Sequence, residues 1–198
     1  MTVLRARITR DAPSGRRMEL LAAAAQRFAM RGYAATSMRD IAADAGLLAG
    51  SMYHHFASKD EMLFEAYKVG VERVIAAHSA AIVGVIEPWA RLEAACAAHL
   101  ECLLADDPLA RLLPLDLRPL PADLRRRLVA ERDRYERRFV AVVKAVGMAK
   151  GGDRLARMML LGALNWTPTW YRRDGETPRR IAQTYVSMLR ESMGSGVQ

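Results

Sequence analysis

The chain has 198 residues, 52% of them hydrophobic, and a formal net charge of +8. That length buries one medium core or a small and a medium one side by side, and the apolar content excludes a disordered polymer. Ala, Leu, Arg, Met and Glu, all good helix formers, abound, and no run alternates β-branched or aromatic residues with polar ones, so an all-α fold is expected.

The positive balance comes almost wholly from arginine, whose planar, always-charged fork suits phosphate. It points to an anionic partner: nucleic acid, a membrane face or a phosphorylated ligand. The opening MTVLRARITRDAPSGRR is polar and basic rather than an apolar leader. The longest apolar stretch, Val74 to Ile86, is interrupted by His78 and falls short of a bilayer span. A soluble, cytoplasmic protein without a membrane partner is expected.

Residues 1–13 read as a flexible basic arm carrying Arg5, Arg7 and Arg10. A first helix is predicted from Ser14 to Arg31, with Leu20, Leu21, Ala24 and Phe28 on one face and Gly32 as the stop. Ser37, with Asp40 three residues on, forms a capping box for a short second helix, MRDIAADA, ended by Gly46. A third short helix is predicted from about Leu48 to His55. Ser58 and Glu61 form another capping box, opening a long helix from Lys59 to about Val85. Two short helices joined by a turn at Gly46 are a helix-turn-helix pattern, whose second helix lies in the DNA major groove. Ile41, Ala42, Ala45, Met52 and Phe56 supply its apolar faces. Residues 14–60 are therefore expected to form a three-helix DNA-binding domain, joined by the long helix to a second, α-helical domain over residues 61–198.

After Pro88 the pattern predicts a helix through Leu104, a break at Asp106 to Pro108, a short apolar helix to Leu113 and a connector holding Pro114, Pro119 and Pro121. A strongly amphipathic helix follows from Ala122 to Val146, closed by Gly147. The last two helices run from Asp153 to Tyr171 and, with Thr177 as cap and Pro178 in the first position, to about Met193.

Cys96, His99 and Cys102 spell C-x-x-H-x-x-C on one predicted helix. On that helix the two cysteines point about 120° apart with Cα atoms about 9 Å from each other, which suits neither a shared metal ion nor a disulfide. Buried thiols are expected, with no metal and no cofactor. No Glu-x-x-His pair, Gly-rich phosphate loop, or nucleophile with base and orienter is present, so enzyme classes are set aside.

The stretch Thr36 to Leu63, TSMRDIAADAGLLAGSMYHHFASKDEML, resembles the TetR family in its Gly-x-x-x-Gly-Ser-x-Tyr-x-x-Phe run followed by Ser-Lys-Asp-x-x-Leu. Phe28, Gly32, Tyr33 and Thr36 fit as well. The resemblance is close over the first quarter of the chain and rests on helix layout and a C-terminal signature beyond it. It implies a DNA reader in which Tyr53 and His54 touch phosphate oxygens, Lys59 adds a charge at a helix N-terminus, and Thr36 and Ser37 offer a hydroxyl or backbone N–H. Arg39 is the candidate charged contact from the second helix, and Gly50 allows close backbone approach to DNA. Relatives usually carry Ser or Thr and then Lys or Arg where this chain has Leu48 and Ala49. Base reading is thereby left to Leu47, Leu48 and Ala49 against thymine methyls and to a hydrogen bond from Ser51, so an A·T-tolerant operator bound mostly through phosphates is expected. The basic arm is a candidate for minor-groove contacts.

The family also implies a homodimer built on the last two helices. The segment RMMLLGALNWTPTWY is apolar nearly all round, as a helix buried on several sides must be, whether by a partner or wholly inside its own domain. Gly162, Asn165, Trp170, Ile181, Tyr185 and Met188 are the interface candidates. The run GALNWTPTWYRRDG further resembles the C-terminal region of a TetR subgroup that includes regulators of fatty-acid and steroid catabolism, which implies an acyl-CoA thioester as effector. Trp89, Leu92, Cys96, His99, Leu103, Leu112, Leu128, Phe139, Met158, Leu161 and Trp166 are candidates to line its pocket. Arg125, Arg126, Arg127, Arg132, Arg134, Arg137 and Arg138 either meet ligand phosphates or form a solvated face paired with Glu131, Asp133 and Glu136. The expected function is a ligand-responsive repressor on a palindromic operator. A TetR-type activator and a non-specific DNA-binding protein without effector are the alternatives.

Overall fold

A computed structural model describes residues 15–147 and 152–194; the basic arm and its arginines lie outside the described residues. Within them the chain forms eight α-helices and no strand: α1 Gly15–Arg31, α2 Met38–Asp44, α3 Ala49–Met52, α4 Lys59–Ala81, α5 Pro88–Leu104, α6 Ala122–Ala145, α7 Gly152–Trp166 and α8 Pro178–Gly194. Single 3-10 turns cover Ala110–Leu112 and Thr167–Thr169.

The starts of the helices are set locally. Ser37 and Asp40 exchange hydrogen bonds across the first turn of α2, the Ser58 hydroxyl accepts from the Glu61 N–H at the start of α4, and the Thr177 hydroxyl accepts from the Arg180 N–H at the start of α8. Each satisfies a donor that the first helical turn leaves open. Gly32 and Gly147, both at positive φ, stop α1 and α6.

Three predicted spans come out shorter. The third helix is a single turn of four residues followed by turns to His55, because Leu48 provides no side-chain cap and Gly50 is a poor helix former. The long helix ends at Ala81, where the backbone bonds tighten at Val83 and Val85 around Gly84 at φ 73°. The helix expected to reach Tyr171 ends at Trp166, since Pro168 has no N–H to continue the ladder and the chain tightens into the 3-10 turn.

One apolar cluster runs from Leu20 on α1 to Leu189 on α8 without a break. α4 is its spine, packing on α1 near its start and on α5 and α6 further along, while α8 lies along α5. The 3-10 turn at Ala110–Leu112 wedges between α1, α4 and α5. Its approach to α4 is close: a Cβ at Gly70 would lie 2.2 Å from the Leu109 carbonyl oxygen.

Candidate nucleic-acid interface and ligand clefts

The reader is braced from behind by arginines of α1. Arg16 donates to the Ala45 carbonyl at 3.1 Å, closing the end of α2. Arg17 donates to the His55 carbonyl beyond α3, with its guanidinium 4.1 Å from the Phe56 ring centre. Arg27 pairs with Asp44 at 2.7 Å. Helical phase alone did not mark these residues, because their partners are carbonyls and carboxylates brought near only by the tertiary fold.

Several predicted contact residues turn out to be occupied. Thr36 is 1% exposed; its hydroxyl donates to the Gly32 carbonyl and its N–H to the Tyr33 carbonyl, so neither is offered to DNA. Ser37 spends both its N–H and its hydroxyl on Asp40, and those bonds hold the Asp40 carboxyl below the usual range. The Lys59 ammonium donates to the Tyr33 and Thr36 carbonyls, both at 2.9 Å, and sits over the Tyr33 ring. It ties the start of α4 to the turn before α2 instead of standing free as a point charge. The Tyr33 hydroxyl completes the tie by donating to Asp60. Arg39, Leu48, Gly50, Tyr53 and His54 are exposed on the outer surface of the motif, with Ala49 and Ser51 half-buried beside them.

In the second half of the chain most of the expected pocket is solid core. Leu92, Cys96, Leu103, Leu112, Leu128 and Phe139 are buried and line none of the clefts described here. All six belong to the continuous apolar cluster. Trp89 is half-buried under Arg190. Met158 and Leu161 do reach a cleft, of about 540 Å³, which also holds Arg132, Arg154, Arg157, Gly162 and Asn165. From it a gap of about 20 Å³ leads inward between Tyr67 and Val71 of α4, Tyr135 of α6 and Asn165.

Behind that gap His99 is fully buried with both ring nitrogens engaged. The Asn165 Oδ1, an acceptor only, lies 3.1 Å from Nε2, which therefore carries the proton. Nδ1 accepts from the Tyr135 hydroxyl at 2.6 Å. Burial pushes His99 down to about 4 and the Cys96 thiol up to about 12, so this cluster is neutral at pH 7.

α7 presents an apolar stripe outward: Leu155 at 68% exposure, Met158, Met159 and Trp166 at 66%, continued by Trp170 and by Met188 of α8. Trp166, expected in the pocket, thus faces outward, and Met158 is half exposed where it lines the cleft. Of the interface candidates, Gly162, Trp170 and Met188 share that open face. Ile181 is buried within its own chain, Tyr185 is half-buried with its hydroxyl 3.4 Å from that of Thr167, and Asn165 turns inward to His99. These three are held by the protomer's own packing.

Two family models match the chain. A family model described as bacterial regulatory proteins, tetR family, matches residues 20–66, and one described as tetracyclin repressor-like, C-terminal domain, matches residues 85–193. The HTH-type transcriptional repressor KstR2 of Rhodococcus jostii is 31% identical over 189 residues, 92% of this chain and 93% of its own. The solved structure of the ketosteroid transcriptional regulator KstR2 of Mycobacterium tuberculosis is 26% identical with a TM-score of 0.75, covering 92% of this chain and 96% of that one. AibR, solved in complex with isovaleryl coenzyme A and operator DNA, shares the fold with a TM-score of 0.77 at 22% identity, over 87% of this chain and 97% of its own.

Proposed function

The chain belongs to the TetR family of DNA-binding transcriptional regulators, and from that premise we propose that it is a repressor that binds a palindromic operator as a homodimer and is released by an acyl-CoA thioester of lipid or steroid catabolism. The observation that carries the effector is the cleft beside α7. Arg154 suits the phosphates of coenzyme A, beside Arg132 and Arg157, which share Glu136 in the same cleft, while Met158 lines the cleft and Leu161 offers an apolar wall at the inward gap. The names of the KstR2 relatives supply the steroid side of the reading.

A gap of about 20 Å³ holds no more than a water. An acyl group entering it has to displace Tyr67 and Val71, and both belong to α4. α4 is tied to the reader through Lys59 and Asp60, so its movement carries the two readers away from half-sites one DNA turn, roughly 34 Å, apart. The thioester must favour the released form on the order of 10²-fold to switch the equilibrium appreciably. On DNA, Arg39, Tyr53 and His54 contact phosphates, with Leu48, Ala49, Gly50 and Ser51 toward the base edges.

A band-shift titration with a palindrome from the neighbouring DNA, with and without acyl-CoA thioesters, tests both halves. The wild-type complex is expected to dissociate with thioester, and Arg154→Ala to need about tenfold more of it. Arg39→Ala weakens DNA binding and lowers the salt slope by about one without altering release. If no acyl-CoA releases the DNA, the effector assignment falls and the reader stands.

A further inference from the structure

α6 has a cleft on each flank. Arg132 and Glu136 face the one described above; Arg134, Arg137, Arg138, Ala141 and Val142 face a second, of about 650 Å³, walled also by His78 of α4 and Arg91 of α5. Among the described residues its lining holds four guanidinium groups and no carboxylate. Arg134 is answered by Glu131 at 2.8 Å. Arg91 has only the Val85 carbonyl, at 3.1 Å, and Arg137 and Arg138 have no acidic partner among the described residues. Like charges gathered this way repel one another until an anion joins them.

The floor of the cleft gives an independent sign of a missing ligand. His78 is 1% exposed, and neither ring nitrogen has a hydrogen-bond partner among the described residues. Buried polar groups are nearly always satisfied, and His99 nearby shows how this fold does it when no space is left. The His78 ring stands against Phe139 and Tyr135 on its inner side, so its free edge is the one toward the cleft. Burial, reinforced by the charges of Arg138 and Arg91, holds it down to about 4, leaving a neutral imidazole with one donor to offer.

We infer that this second cleft binds an organic phosphate of nucleoside diphosphate size, with the phosphates on Arg91, Arg137 and Arg138, the His78 ring as floor, and the organic part against Ile82, Ala141 and Val142. Its volume suits such a ligand. Three helices contribute, α4 among them, so the occupant touches the same helix that carries the reader. The site stands independently of the acyl-CoA reading.

Isothermal titration of the full chain with ADP tests it. One saturable ADP per protomer is expected, weakened about tenfold in the double variant Arg137→Ala with Arg138→Ala, whose side chains are exposed and whose removal leaves the core intact. His78→Phe, which keeps a ring of similar bulk, is expected to weaken binding less but measurably. Arg180→Ala, which removes an exposed arginine from neither cleft, leaves ADP binding unchanged. No saturable binding at millimolar ADP overturns the proposal. So does a loss in Arg154→Ala that the arginine double variant does not share.

Discussion

His78 and His99 answer the same burial in opposite ways, one with both nitrogens free among the described residues and one with both bonded. Each is depressed to about 4 from an ordinary 6.5, so each stays neutral in the fold while the unfolded chain takes up a proton as the pH drops. The unfolded state therefore binds more protons between about 6.5 and 4, and stability falls as pH falls through that window. For His99 the loss is on the order of 3 kcal/mol across the window, and it is complete below about 4. Urea titrations at pH 7 and pH 4.5 should show this drop, and a smaller one in His99→Phe. An equal drop in the variant would remove the histidine as its source. In the C-x-x-H-x-x-C run the imidazole is engaged by Tyr135 and Asn165.

Among the elements, α4 has the sharpest constraint. Replacing an interior helical glycine by alanine normally adds about 1 kcal/mol of helix propensity. At Gly70 the new methyl would meet the backbone oxygen of Leu109 at 2.2 Å, and a backbone cannot swing aside as a side chain does. Overpacking costs about 1–3 kcal/mol, so the steric term wins. Gly70→Ala is expected to lower the urea midpoint, and a higher midpoint would mean the approach is looser than described. The contrast also marks what could be read in advance. Helix starts at Ser37, Ser58 and Thr177 were legible because a cap acts over three residues. The outward face of Trp166 and the solid packing around Leu128 were not, because helical phase identifies an apolar face without saying whether core, void or partner covers it. The partners of Arg16, Arg17 and Lys59 escaped for a related reason, since the carbonyls these side chains bind lie elsewhere in the chain.

At the scale of the whole molecule, the exposed stripe of Leu155, Met159 and Trp166 is where the proposed homodimer would form, and Trp166→Glu places a charge on it. Sedimentation is expected to show a shift from dimer to monomer. Operator affinity should fall on the order of 10²-fold or more as two linked half-site contacts become one. A variant that remains dimeric would exclude this stripe as the interface. The bare contact between Gly70 and Leu109 matters to anyone wishing to recombine such regulators. That contact lies within residues 61–198 and holds against α4 the turn on which α1 also packs, so a seam cut near residue 60 separates α1 from the surfaces it rests on. A grafted reader has to bring α4 and the segment around Leu109 with it. Operator preference is more safely exchanged by rewriting the exposed positions of α3 while the rest of the chain stays as it is.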